Sequence, residues 1–182
     1  MATVTEGLDG VRHELERLGR SVVQLFEPGL APELVRERLD GAPDELVEWF
    51  GWADGTRAEE DQTVDEASFI PGYVLISLAE ALEFRDEVEV ESDGDEEWLP
   101  LLVSPAGDFY AVAWTSHEGV VQVWSYVEGA DGQADYPDLA RMLRTFVESY
   151  RTGAFEVDDE GYLDMHPELA DRVYEAINKK AS

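Results

Sequence analysis

Trp98-Leu99-Pro100-Leu101-Leu102-Val103, Phe109-Tyr110-Ala111-Val112-Ala113-Trp114-Thr115 and the run from Val120 to Val127 decide the fold. These three short segments are rich in β-branched and aromatic residues. Pro105-Ala106-Gly107-Asp108 and Ser116-His117-Glu118-Gly119 separate them, and both connections have hairpin length and turn-forming composition. The pattern predicts an antiparallel meander. In the middle run Phe109, Ala111 and Ala113 point one way and Tyr110, Val112 and Trp114 the other. Both faces are apolar, so the strand is expected to be central, with helices over at least one face.

Downstream, Leu139, Met142, Leu143, Phe146, Val147 and Tyr150 recur at helical spacing. This predicts a helix begun by Pro137 and closed by Gly153. A short extended piece around 154–163 and a last helix from Pro167 follow. Upstream, Leu8, Val11, Leu15, Leu18, Val22 and Leu25 form one stripe, predicting a long opening helix that Pro28-Gly29 closes. A short helix begins at Pro32 and ends at Gly41, and a third begins at Pro43 and presents Leu46, Val47, Trp49 and Phe50. It runs into Gly51-Trp52-Ala53-Asp54-Gly55, whose Asp-Gly step is expected to form a turn. Residues 58–68 read as an exposed acidic loop. Phe69–Ile76 is β-prone after Gly72, and Ser77 followed by Glu80 is a capping box that opens a helix through Leu78 and Leu82. Pro100 is expected to end or bend an edge strand. The elements add up to an α+β domain, a central antiparallel sheet flanked by helices, in one unit spanning 1–182. Its parts are an N-terminal helical extension over about 1–30, a core over about 31–163 and a C-terminal helix over about 167–180.

Charge narrows the function. The chain has 42 Asp and Glu against 13 Lys and Arg, a formal charge of -29 over 182 residues. A field of that sign repels phosphate backbones and anionic lipid, and it favours a basic partner. A surface adapted to high salt is the other reading of the same excess. Between Glu83 and Glu97 nine carboxylates face the single Arg85, which puts the tip at Ser92-Asp93-Gly94-Asp95 in solvent. With no cysteine there is neither a disulfide framework nor a thiolate zinc site. The segment from Met1 to Arg20 lacks the apolar run of a signal peptide, and no stretch is long enough to span a membrane, so a cytoplasmic protein is expected.

Little in the chain points to catalysis. His13, His117 and His166 stand apart from one another, no serine sits in a nucleophile elbow, and there is no glycine-rich phosphate loop. Glu156-Val157-Asp158-Asp159-Glu160-Gly161 imitates the first half of a calcium loop. The twelfth position, where a bidentate glutamate should close the site, is Pro167. A turn between two short strands explains the segment better. No cofactor, metal or catalytic residue is expected.

Taken in order, the helix from Pro43 to Phe50, Trp52-Ala53-Asp54-Gly55, Ile70-Pro71-Gly72-Tyr73, Trp98-Leu99-Pro100-Leu101-Leu102, Gly107-Asp108-Phe109-Tyr110-Ala111-Val112 and the helix to Tyr150 resemble the SMI1/KNR4 family of the SUKH superfamily. The likeness spans roughly Leu30 to Leu163. The acidic insert from Asp86 to Glu97 lies outside the family pattern. The resemblance implies a non-catalytic α+β domain that in bacteria most often serves as an immunity protein, neutralising a cognate polymorphic toxin. Many such toxins act on nucleic acids through basic surfaces, which is the partner that the charge favours. A cellular scaffold or regulator of the same superfamily, a nucleic-acid-mimicking inhibitor and a carboxylate enzyme are the alternatives. For partner contacts the expected residues are Glu59, Glu60, Asp61, Asp65 and Glu66 in the first acidic stretch. In the second they are Asp93, Asp95, Glu96 and Glu97, with Trp98 as an aromatic anchor at the margin.

Overall fold

The computed structural model describes residues 3–88, 96–115 and 119–179. Its centre is the meander. Strands β5 (Glu96–Val103), β6 (Phe109–Thr115) and β7 (Gly119–Tyr126) pair antiparallel in a six-stranded sheet of order β3-β4-β5-β6-β7-β8. β3 is Ser68–Ile70, β4 Tyr73–Leu75 and β8 Gln133–Tyr136. β6 is central, as the two apolar faces of its sequence require. Pro100 does bend its strand: the β5–β6 register shifts between Pro100 and Leu102. β4 pairs with β5 only at Leu102 and Val103, so Pro100 lies where β5 has a strand on one side alone.

The two longest helices gather on the face that carries Tyr110, Val112 and Trp114, the inner face. Helix α6 (Leu139–Thr152) contacts β7 and β8 and buries Leu139, Met142, Leu143, Phe146 and Tyr150. Its N-cap is Asp138, one residue after the predicted start at Pro137, because the Asp138 carboxylate accepts from the Arg141 N–H at 2.7 Å. Gly153 closes the helix at φ 77°. Helix α1 (Val4–Arg17) lies along α6 so closely that a Cβ on Gly7 would stand 2.7 Å from Leu143 Cβ. Leu8, Val11 and Leu15 are fully buried and join the same core as the sheet.

α1 is shorter than its apolar stripe predicts. Gly19 turns left-handed at φ 70°, Arg20 N–H donates to Leu15 O, and Gly19 N–H donates to Glu16 O, a Schellman ending. Val22 and Leu25 are still buried, but from a 3₁₀ turn over Ser21–Gln24 that leads into β1 (Phe26–Pro28). Helix α2 (Pro32–Arg38) and helix α3 (Asp44–Trp52) form as expected, with Pro43 as the N-cap of α3.

The Asp54-Gly55 step is not a turn. It lies in β2 (Ala53–Thr56), paired with β1. Asp54 Oδ1 accepts the Leu78 N–H at 2.8 Å, at the start of helix α5 (Leu78–Glu87). A Cβ on Gly55 would meet Ser77 N at 2.5 Å, so the glycine permits the close approach of that helix start. α5 opens with the predicted Ser77/Glu80 capping box.

The stretch 58–68 is not all loop either. Thr63 and Glu66 make a reciprocal capping box for helix α4 (Val64–Ala67), which passes directly into β3. The final elements are the hairpin of β9 (Phe155–Val157) and β10 (Leu163–Met165) and helix α7 (Pro167–Asn178). Among the described residues no helix is long and apolar enough to cross a membrane.

Candidate functional site: an aromatic ladder rimmed by carboxylates

The other face of the sheet, the outer face, carries rings. Register places Trp98 opposite Ala113, Phe109 opposite Tyr126, and Trp124 opposite Ala111, so all these side chains share one face. Phe109 stacks on Tyr126 with centroids 4.6 Å apart and planes 13° from parallel, and on Trp98 at 5.8 Å. Trp124 continues the row 6.4 Å from Tyr126. From above, Phe84 of α5 meets Phe109 edge-on at 5.0 Å. Phe109 is buried, whereas Trp98, Trp124, Tyr126 and Phe84 are all partly exposed. Ala111 and Ala113 are buried beneath the larger side chains.

Beside the ladder lies a cavity of about 680 Å³, walled by Phe84, Phe109, Trp124, Tyr126 and the 127–132 loop. The loop is pinned. Glu128 N–H donates to Asp108 Oδ1 at 2.9 Å, Ala130 N–H donates to Val127 O, and a Cβ on Gly132 would overlap the Tyr126 ring at 2.3 Å. Val127 is 54% exposed at the cavity mouth, next to Glu128 and Asp131. Burial and the nearby Glu96 carboxylate raise the Tyr126 phenol above its ordinary value, which keeps this rung neutral. Arg85 reaches Glu97 at 3.8 Å. An apolar, ring-lined groove edged by acids suits an amphipathic basic surface.

Of the sequence-predicted residues, Trp98 is a rung of this ladder and Glu96 shares its face, whereas Glu97, opposite Trp114, alternates to the other face and pairs with Arg85. Asp93 and Asp95 lie outside the described residues, as does the expected solvent-exposed tip. Glu59, Glu60, Asp61, Asp65 and Glu66 form a second group, and no residue lines both its cavity of about 270 Å³ and the aromatic one.

Within that second group the acids divide. Asp65 is held by the fold: Oδ2 accepts from Arg20 at 2.6 Å, Oδ1 accepts the Leu163 N–H at 2.7 Å, and the Arg20 side chain is 8% exposed. Arg20 also donates to Gly161 O, so this ion pair ties the end of α1 to α4 and to the β9–β10 hairpin. Glu66 serves the α4 cap, and the Thr63 backbone N–H and hydroxyl hold its carboxyl below the usual range. Glu59 pairs with Arg57 at 3.0 Å. Glu60 and Asp61 are exposed, with Asp61 left-handed at φ 64°.

Phe84, Phe109, Trp124 and Tyr126 are the residues that sequence reasoning missed. A signal was present, since Trp124 and Tyr126 recur at a spacing of two in a strand adjacent to Phe109. The Asp158 carboxylate accepts from the N–H groups of Glu160 and Tyr162, which explains the calcium-like spacing as a tight turn. Among the described residues no group of three His, Asp or Glu side chains is placed to hold a metal ion. His13 is exposed, and His166 pairs with Glu156 at 2.6 Å. No protein-family model matches this chain, and no curated protein sequence matches it.

Proposed function

We propose that the protein is a non-catalytic binding domain that neutralises a basic protein partner, as an immunity protein does with its cognate toxin. The observation that carries this reading is the half-exposed ladder of Trp98, Phe109, Tyr126 and Trp124. It is set among carboxylates on a chain of formal charge -29. Large rings in a desolvated patch contribute most of the affinity at protein interfaces, and surrounding charge sets orientation and association rate. Glu96, Glu128 and Asp131 would meet lysines and arginines that normally grip a substrate, while the rings cover the apolar parts of the same cleft. Occlusion of this kind needs no reactive group. The resemblance to the SMI1/KNR4 family supports the same reading.

The test is a tagged pull-down from native lysate at low and moderate salt, with bound proteins identified by mass spectrometry and repeated with Trp98→Ala and Trp124→Ala. The expected result is one stoichiometric basic partner that the wild type retains and both variants lose. With the purified partner, association should slow steeply as salt shortens the Debye length below about 10 Å, and dissociation should change less. Capture that both variants leave intact, or an association rate indifferent to salt, would remove the ladder or the steering from the mechanism. Several unrelated housekeeping proteins in place of one partner would favour a scaffold.

A further inference from the structure

The inner face of the sheet holds a second cavity, away from the ladder, of about 380 Å³. Its walls are rings from five elements: Tyr73 of β4, Tyr110 of β6, Tyr136 of β8, Phe146 of α6 and Tyr174 of α7, with Phe155 at the hairpin. They meet steeply rather than in a stack. Tyr73 and Tyr110 stand 5.0 Å apart at 56°, Tyr110 and Phe146 6.1 Å apart at 74°, Tyr136 and Phe146 6.0 Å apart at 79°, and Tyr136 and Tyr174 5.5 Å apart at 69°. The three steepest are the angles of edge-to-face packing, and together the rings make the cavity wall largely aromatic.

The acids of the lining are Asp135, half-buried on β8, and Asp171, exposed. No lysine, arginine or histidine lines the cavity. Burial raises the Asp135 carboxyl above its ordinary value, and the Ser125 side chain opposes that shift. Tyr73, Tyr110, Tyr136 and Tyr174 are all raised, by burial first, and each also feels the Asp135 carboxylate. All four phenols thus lie near this carboxylate, which has no cation in the lining of this cavity and shares the lining of the adjoining one with Arg141. Tyr174 donates to the backbone carbonyl of Asp135, which fixes one wall to the acid's own strand. A half-buried carboxylate hydrogen-bonded to the Ser125 side chain would be stabilised further by a positive charge placed beside it.

We propose that this cavity is a binding site for the head group of an organic cation, a quaternary ammonium or guanidinium, held by the tyrosine faces and paired with Asp135. An anion is excluded by the two aspartates and by the field of the whole chain. A neutral apolar ligand would fill the space and leave the carboxylate unpaired. The volume lies near the lower end of the roughly 300–1,000 Å³ typical of small-molecule sites, which fits a compact head group better than an extended ligand.

The test titrates the full-length protein with choline, with methylguanidine and with 3,3-dimethylbutan-1-ol, the uncharged carbon analogue of choline, followed by calorimetry and tyrosine fluorescence. A pentapeptide carrying one arginine is the fourth probe. The expected result is saturable binding of a cation at least about tenfold tighter than the neutral analogue, equivalent to about 1.4 kcal/mol. Asp135→Asn should weaken it by about tenfold or more, and Tyr110→Phe, which keeps the ring face, should retain it. Tyr174→Ala at the exposed side of the cavity supplies a second loss variant should Asp135→Asn unfold. Binding of the free cations marks a small-molecule ligand, and binding of the arginine peptide alone marks a head group delivered by a protein. Equal binding of choline and its neutral analogue, or no cation bound by about 10 mM, overturns the proposal.

Discussion

The two faces of the same sheet use aromatic residues to opposite ends. On the inner face, Val112 and Trp114 are buried, and Phe146 and Tyr150 of α6 close over that side. Tyr150 donates to Phe69 O at 2.7 Å in the interior, locking α6 to β3. On the outer face the rings stack along the sheet, and Trp98, Trp124 and Tyr126 keep part of their surface in solvent. A ring closed in on all sides stabilises the fold, whereas a ring supported from one side remains available to a partner. The acids divide in parallel. Glu14 and Asp65 are bound inside the fold, while Glu128 and Asp131 stay exposed beside the ladder.

The sharpest way to break this contrast is to truncate one ring on each face. Phe146→Ala removes a side chain that is 2% exposed and should lower unfolding free energy by about 3–5 kcal/mol in urea titration. If it loses less than about 1 kcal/mol, the inner face is not the anchor of the fold. Next in size is Asp65→Ala, which strands Arg20 without its carboxylate. We expect a loss of about 3 kcal/mol, with partner affinity unchanged once the protein is folded. A variant as stable as wild type but weak in binding would move Asp65 to the recognition surface.

Trp98→Ala should show the reverse signature. Stability falls by only about 1 kcal/mol, since the ring is partly exposed, while affinity for the partner falls by about 2 kcal/mol, roughly 30-fold. Equal losses in both would erase the distinction between the faces.

Smallest is Glu14→Gln, expected to cost about 1 kcal/mol at pH 7 because both arginine partners are half exposed. Burial alone would raise the Glu14 carboxyl, but the hydrogen bonds and charges of Arg17 and Arg151 outweigh it and hold the folded value below the ordinary one. Its contribution is therefore complete above the ordinary carboxyl range near pH 4.3 and disappears as pH falls through the folded value. Wild type and variant should converge in stability once the pH lies below the folded value. A gap that persists there would mean that packing, not charge, is what the substitution removes.

Much of the architecture was legible because it is written in local patterns. The meander followed from alternation in Phe109–Thr115, α5 from Ser77 and Glu80, and the end of α6 from Gly153. What escaped depended on distant partners. The four-residue helix α4 has a capping box in its sequence, but the density of acids around it disguised Thr63 and Glu66 as loop. β8 has no β-rich run and exists because β7 offers it an edge. Asp54-Gly55 has the composition of a turn, yet pairing with β1, the approach of Ser77 and the Leu78 N–H that donates to Asp54 make it a strand and a helix cap.

The candidate site divides along the same line. Trp98 and its neighbouring acids could be singled out from the chain alone, because a large ring at the edge of a charged run stands out in one dimension. The spacing of Trp124 and Tyr126 put them on one face of their strand, but only the strand register and the position of α5 brought Phe109 and Phe84 to them.

By itself the sequence determined the fold class, the acidic field and the central strand, since periodicity and net charge are sums over neighbouring or independent residues. Only the tertiary structure decided which face of that strand the two longest helices would cover, which carboxylates would be bound within the fold, and which rings would lie near Asp135. Those outcomes depend on pairings between residues as far apart as Arg20 and Gly161. A contact of that kind exists only once loops have closed and strands have found their register, and no window along the chain contains it.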